Sequence, residues 1–504
     1  MKRIRQLLLL FVISAPLFAQ SQGDFQHVSL RILHWNDFHS QNIPFKIKTK
    51  SQLTGNDTSY FVGGSAALKA YIEKYSAGDT VLLLNAGDDF QGTPISTITK
   101  GASQITLMNM MHPDAVTIGN HEFDYGRETL KKDFAEANYP IISANIVDKL
   151  THTTFVPPYL IKTIKGVRIG IIGLMAPDLA ALTLPRNIKN LYIAPTASTV
   201  KEIIPELKRQ HVDLIVVLSH IGVDQDSILA EADPDINIII GGHSHTAIFT
   251  PKKINGVIIC QAGAHGQYLG ELDLLFDKSH DSILSSSGKL IEVRTADIKP
   301  DSAVQATVTL LEQKVDAALS NVIATLKSDW KRNWSGESNI GDWQTDVMRR
   351  ITKADIAFQN NGGIRKDVYA GPVTLRDMWE INPFGNQFVT FTVDGATLKK
   401  MIEWQAAGKG EMCQVSGIRY SAVIKNGTAN LISLTINGKP LQTGHRYTVA
   451  TNNYIAEHGK EFFGLENGIR GVKQTNILDR DAFIAAAEKE KVIDSKLDGR
   501  IIRK

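Results

Sequence analysis

From about Val28 to Ile298 the chain alternates short apolar runs with longer amphipathic stretches. VLLLN (81–85), AVTIG (115–119), VRIGIIG (167–173), DLIVVLS (213–219) and DINIIIGG (235–242) are rich in Val, Ile and Leu at consecutive positions. Runs apolar on both faces predict central strands covered by helices, and their spacing leaves room for a helix between successive strands. One intervening segment, Thr196 to Gln210, has helical periodicity, whereas GELDLLFD and SSSGKLIEVRTADI read as antiparallel strands that close this region. A polar helical stretch from about Pro300 to Leu326 follows as a bridge. A second α/β region begins at ESNIGDWQTDVMRRIT, where Glu337-Ser338-Asn339 supplies helix-start signals. Trp343, Val347 and Ile351 recur every four residues there and predict a buried helix face. DIAFQNNGGIR, FVTFTVDG, a hairpin-like LISLTINGKPLQ turning at Asn437-Gly438, and YTVATNNYI complete it. No internal repeat or low-complexity tract interrupts the pattern.

At 504 residues the chain is too long for one ordinary core, so at least two domains are expected. The opening MKRIRQLLLLFVISAPLFAQ reads as a secretory signal over residues 1–19. It has a basic start at Lys2, Arg3 and Arg5, an apolar core from Leu7 to Ile13, and the small Ala19 for cleavage. That core is too short for a comfortable membrane span, and no later run reaches about 18 uninterrupted apolar residues. The expected location is therefore periplasmic or secreted, without stable membrane insertion. Loss of the segment removes three of the 55 Lys and Arg, leaving 52 against 52 Asp and Glu. A near-neutral mature chain gives no bulk attraction to a nucleic-acid polymer or anionic lipid. Cys260 and Cys413 are far apart in sequence; two free thiols or one bridge are both compatible with export.

The chemistry concentrates where the first region's strands end. RILHWNDFH ends in Asp37 and His39, VLLLNAGDDF in Asp88, AVTIGN in Asn120, LIVVLSH in His220, and INIIIGGHSH in His243 and His245. Ligands gather at the carboxyl ends of strands in open α/β sheets, so these groups are expected to converge. Mixed carboxylate, imidazole and amide donors suit zinc or manganese rather than a thiolate structural site. Seven donors exceed the need of one tetrahedral ion and predict two, with Asp88 as the natural bridge because a carboxylate has two oxygens. Two ions about 3.5–4 Å apart lower the pKa of a shared water and hold the oxygens of an in-line phosphoryl displacement. Gly87, Gly119, Gly241 and Gly242 are expected to allow the sharp turns this needs.

DFH, GDDFQG, GNHEFDYG, SHIG and GGHSH resemble the motifs of calcineurin-like metallophosphoesterases. NNGGIR and the two-domain length narrow the resemblance to the 5'-nucleotidase family, which includes bacterial periplasmic UDP-sugar hydrolases and animal ecto-5'-nucleotidases. It spans about residues 28 to 470. It implies an α/β (α+β) fold: a four-layer metallophosphoesterase β-sandwich flanked by helices, with a second, smaller α/β substrate-binding domain. The corresponding boundaries are 28–298 for the metallophosphoesterase domain, 299–328 for an interdomain helix and 329–504 for the C-terminal domain. It also implies that Asp37, His39, Asp88 and His245 hold one ion, and Asp88, Asn120, His220 and His243 the other. The family often has Gln where this chain has His245. His121 and Asp124 match the family's catalytic dyad. An imidazolium at His121 would stabilise phosphoryl charge, with Asp124 fixing its tautomer and raising its pKa. Glu122, between them, has no assignable role in the sequence alone.

In the second region Asn361 and Arg365 match the family's Asn-Gly-Gly-x-Arg loop, which offers Arg to the substrate phosphate. The family clamps its nucleobase between two aromatic residues. By local pattern Met412 and Tyr454 stand there, and Lys460 stands where an Asp usually holds ribose. The resemblance implies hydrolysis of a small-molecule phosphate ester, a nucleotide first, by a metal-bridging hydroxide in an interdomain cleft. The departures at Met412 and Lys460 keep other esters open: a 2',3'-cyclic nucleotide, a UDP-sugar or a sulfur-carrier conjugate. A binding protein of the same fold is the alternative outside enzymes. The oligomeric state is not legible.

Overall fold

The computed structural model describes residues 27–50 and 57–504, so the expected signal segment lies outside the described residues. Two six-stranded sheets face each other. The first runs in the order Ser282–Glu292, Tyr268–Asp277, His27–Trp35, Val81–Asn85, Ala115–Thr117, Ile141–Ile142. The second runs Lys252–Ile254, Val257–Cys260, Ile238–Ile240, Leu214–His220, Val167–Met175, Tyr159–Ile164. Side-chain alternation explains the layering. Leu30, Ile32, Leu82 and Leu84 from one sheet meet Ile169, Ile171, Val216 and Leu218 from the other in a shared core. Leu33 and Trp35 point the opposite way, into a second core with helices Ser65–Ser76 and Ala102–Met111. Helices Thr196–Arg209 and Val223–Ala232 cover the outer face of the second sheet through Val200, Ile204, Leu207 and Leu229. The result is the expected four layers, helix, sheet, sheet, helix.

Parallel pairing puts the functional strand ends on one edge. Trp35 is opposite Asn85, and Asn85 opposite Val116; in the second sheet Leu218 is opposite both Gly173 and Ile240. Antiparallel His27–Trp35 and Tyr268–Asp277, extended by Ser282–Glu292, close the first sheet as the alternating pattern predicts.

The bridging helix is shorter than its sequence suggests. It spans Ser302–Leu319, and Val322–Leu326 is a strand paired with Gly371–Thr374 and Val492–Ile493. Ala324 and Leu326 pack into the second lobe, and the alternating burial of this short β-branched segment favours the strand. Helix Asn339–Thr352 starts where expected, with Ser338 Oγ accepting from the Gly341 N–H at 3.2 Å. Trp343 and Val347 are buried, but Ile351 is 37% exposed. Two steps of four residues advance about 80° around a helix with 3.6 residues per turn, so Ile351 leaves the buried face.

The second lobe is built on a five-stranded sheet ordered Cys413–Ser416, Ile356–Asn360, Arg446–Asn452, Gln387–Asp394, Lys473–Leu478. The Asn437-Gly438 turn forms with φ of 48° and 77°, and joins Thr428–Ile436 to Lys439–Pro440. Cys260 and Cys413 are both buried and free. Among the described residues no helix is long and apolar enough to cross a membrane.

Candidate active site

The loops after the parallel strands are zipped together by backbone hydrogen bonds. Asp37 N–H donates to Gly87 O at 2.8 Å and His39 N–H to Asp88 O at 2.9 Å. These loops adopt an uncommon conformation. Asp37, His39, Asp88, His243 and His245, five of the seven candidate ligands, have φ between 49° and 77°. Non-glycine residues are held in the left-handed region only where the surroundings over-determine them, and such positions cluster at functional sites. Gly87 shares it at φ 83°, and a side chain at Gly119 would collide with the Asp88 carboxylate. Gly119 therefore serves close approach rather than a turn.

The seven side chains converge in two overlapping groups. His245 Nε2 lies 3.3 Å from Asp37 Oδ1 and 3.0 Å from His39 Nε2. Asp88 Oδ2 lies 3.9 Å from His39 Nε2 on one side and 3.2 Å from His220 Nε2 on the other. His243 Nδ1 is 3.0 Å from Asn120 Oδ1, and Asp88, His220 and His243 form a second compact donor set. Asp88 thus stands between the groups. The donor set fits two divalent cations: two buried carboxylates, ring nitrogens that face one another, and a His220 Nε2 without a hydrogen-bond partner. His220 Nδ1–H donates to Ala86 O at 2.6 Å, which directs Nε2 at Asp88 as the atom that would ligate once its proton leaves.

Electrostatics sort the imidazoles. Burial opposes charge on His220, yet Asp88 and Asp37 push its pKa up to about 10. Burial and the neighbouring His220 take His243 down to about 4, and burial with His245 holds His39 well below the usual histidine range. His121 is raised, because Asp124 and Asp88 outweigh its burial.

His121 and Asp124 sit on a short helical turn, with Nδ1 2.8 Å from Asp124 Oδ2, while the His121 backbone N–H donates to Asp88 Oδ1 at 2.9 Å. Between them Glu122 points inward, and its role is now visible. Its carboxylate accepts four backbone N–H groups: Asp89 at 2.8 Å and Phe90 at 3.1 Å on Oε1, Asp88 at 3.1 Å and Gly119 at 2.6 Å on Oε2. Burial raises its pKa to about 7. Glu122 ties the Asp88 loop to the Asn120 loop.

The second lobe closes over this cluster. Phe384 stacks on the His121 ring at 5.7 Å and 24°, and the Arg365 guanidinium lies 5.7 Å from the Phe384 ring centre. Tyr454 O–H donates to Ala181 O, and His458 Nε2 lies 3.0 Å from Ala180 O, both across the lobes. Between the lobes is a cavity of about 550 Å³. Asp88, Asn120, His121, Asp124, His243 and His245 line one side; Arg365, Phe384, Glu411 and Tyr454 line the other. Asp37, His39 and His220 lie in the buried cluster rather than in the cavity wall.

Three expected substrate contacts are not brought there. Met412 is 7% exposed and packs with Phe358, Leu398 and Phe463 in the second lobe's core, because the residues that follow it form the buried strand Cys413–Ser416. Asn361 spends its side-chain amide on Asn333 O at 2.7 Å and on Gln414 Nε2, so it supports the loop rather than facing the cavity. Lys460 pairs with Glu466 at 2.9 Å on the surface, because Phe462 and Phe463 of the same short helix fill the core. Conversely, Phe384, Trp334 and Glu411 line the cavity without an expected role, and Glu122, which the sequence leaves unassigned, holds the loop backbone. Phe384 and Trp334 are each an aromatic residue inside a Gly, Pro, Asn or Ser-rich loop with no core periodicity, which was the available signal.

The fold and this cluster define a calcineurin-like metallophosphoesterase, a phosphoester hydrolase; residues 30–247 match the family model for calcineurin-like phosphoesterase. Residues 318–466 match that for the 5'-nucleotidase C-terminal domain, and the chain belongs to the 5'-nucleotidase family. A human 5'-nucleotidase is 28% identical, covering 94% of this chain and 90% of its own. The crystal structure of a 5'-nucleotidase precursor from Thermus thermophilus is similar at a TM-score of 0.86 and 28% identity, covering 94% of this chain and 99% of that one. Endonuclease YhcR of Bacillus subtilis is 29% identical over 86% of this chain, but the chain spans only 37% of that longer protein.

Proposed function

We propose that the protein is an exported, metal-dependent 5'-nucleotidase that hydrolyses a nucleotide to nucleoside and phosphate. Export rests on the signal-like residues 1–19. The observation that carries the activity is that six candidate metal-site and dyad residues and Arg365 line one cavity of about 550 Å³. Asp37, His39, Asp88 and His245 would hold one divalent ion and Asp88, Asn120, His220 and His243 the other, zinc or manganese. Bound ions would supply Lewis-acid activation of water and of the phosphoryl oxygens. The chain's own groups supply the rest. Arg365 presents a planar fork of donors to phosphoryl oxygens from the opposite lobe. His121, held by Asp124, carries a proton at Nδ1 in that hydrogen bond and directs Nε2 as an electrostatic stabiliser or proton donor to the leaving oxygen. Phe384 lies against both His121 and Arg365.

The test is hydrolysis of AMP and an aryl phosphate, read as phosphate release, and of UDP-glucose, read as UMP and glucose 1-phosphate, by protein stripped with chelator and reloaded with zinc, manganese or cobalt. Release that depends on added metal supports the reading, and no release from any ester refutes it. His121→Ala should lower turnover by about 10²–10⁴-fold while both ions remain bound. Loss of metal in that variant would place His121 among the ligands instead.

A further inference from the structure

With Met412 in the core, the second lobe needs another surface for the group attached to the phosphate. Trp334 lines the cavity that holds the dyad and Arg365, yet it is 58% exposed, among the most open large apolar side chains of the described residues. Among the described residues it packs in no core cluster, and its one ring partner is the Arg332 guanidinium at 5.8 Å. A rigid aromatic face left open at a cavity is a stacking platform, because burying it against a flat ring recovers area at little entropic cost. Its loop is anchored to the phosphate-facing loop, since Asn361 Nδ2 donates to Asn333 O at 2.7 Å.

On the other flank of the same loop stands Glu411. Its Oε1 accepts from the Gly362 N–H at 2.5 Å and Asn360 Nδ2 at 3.2 Å, which fixes the carboxylate in the cavity wall. A fixed acceptor in the same cavity wall as an open indole suits a flat ring or sugar that donates hydrogen bonds, and disfavours a second anionic group there.

We propose that Trp334 and Glu411 form the leaving-group subsite, with Trp334 stacking on the nucleobase and Glu411 accepting from its amino or hydroxyl donors. The proposal deepens the nucleotidase reading and rests on it. Trp334→Ala should raise KM for AMP by roughly 5- to 50-fold with kcat little changed. Its KM for ribose 5-phosphate, which has no base, should stay put, and Trp334→Phe should restore most of the loss. Glu411→Gln keeps an acceptor for the loop but removes the charge. It should reduce discrimination against a nucleotide carrying a second phosphate on its ribose. Adenosine binding to metal-loaded protein, read by calorimetry, should weaken by a similar factor in Trp334→Ala. Equal losses on AMP and ribose 5-phosphate, or unchanged adenosine binding, overturn the subsite. Failure of the wild-type protein to hydrolyse any of these esters would instead overturn the nucleotidase reading, and adenosine binding would still judge Trp334.

Discussion

Glu122→Gln isolates a carboxylate that joins the two loops carrying the candidate metal ligands Asp88 and Asn120. The wild-type side chain accepts from Asp89 and Phe90 through Oε1 and from Asp88 and Gly119 through Oε2. Glutamine has nearly the same shape but one acceptor oxygen. If it keeps the Oε1 pair, its NH₂ faces two backbone N–H groups, and four donors share one side of the loop. Each buried N–H left without an acceptor costs about 1–3 kcal/mol, so the substitution should cost about 2–6 kcal/mol of local stability. The residues released are Asp88 and its neighbours, whose φ of 59° at Asp88 persists only because the surroundings hold it. Metal affinity should therefore fall together with stability, although Glu122 is not a candidate ligand. Native-state hydrogen exchange reports this locally: amides of Asp88, Asp89, Phe90 and Gly119 should exchange faster by about 1.5 to 4 orders of magnitude, by the arithmetic of about 1.4 kcal/mol per decade. Metal content after dialysis should drop in parallel. Unchanged protection at those four amides would refute the reasoning outright, and faster exchange with full metal retention would confine Glu122 to loop stability.

Metal binding itself should release protons. His220 is held charged in the metal-free protein by Asp88 at 3.2 Å, with its pKa pushed up to about 10. Coordination needs the neutral ring, so at neutral pH roughly one proton should leave as the ion enters; calorimetry in buffers of different ionisation enthalpy measures it, and no buffer dependence would count against His220 as a ligand. Outside the cavity wall, Asp342 is 2% exposed and its carboxylate makes no hydrogen bond to any N–H or O–H of the described residues; burial, and then Glu337 beside it, raise its pKa to about 9 against the pull of Arg500. The unfolded value is about 3.9, so the folded protein keeps a proton that the unfolded chain loses over the pH range between. Stability from this site is full below about pH 4 and falls as pH rises towards about 9. Asp342→Asn should flatten that decline in denaturant unfolding followed at several pH values; parallel wild-type and variant curves would contradict it.

How far the sequence could be read follows from how local each determinant is. The metal-type residues were legible because parallel strands bring their carboxyl ends to one edge, so position after an apolar run is enough to place Asp37, Asp88, Asn120 and His220 near one another. His121 and Asp124 needed only a turn of three residues. Glu122 lay in the same turn but acts on amides of the strand end 33 residues earlier, and no periodicity announces a side chain that serves another loop's backbone. The leaving-group pocket failed for a related reason. Which way Met412, Lys460 and Trp334 point depends on the register of a buried strand, the core-facing residues of a five-residue helix and the course of an irregular loop. In Gly459–Phe463 the pair Phe462-Phe463 takes the core, and a helix that short leaves Lys460 only the solvent side. A local pattern match counts positions along the chain, whereas the cavity selects by direction. Aromatic residues in irregular loops, such as Trp334 and Phe384, reach the cavity wall without any helical or strand periodicity to announce them, whereas Met412 and Lys460, aligned by spacing, do not.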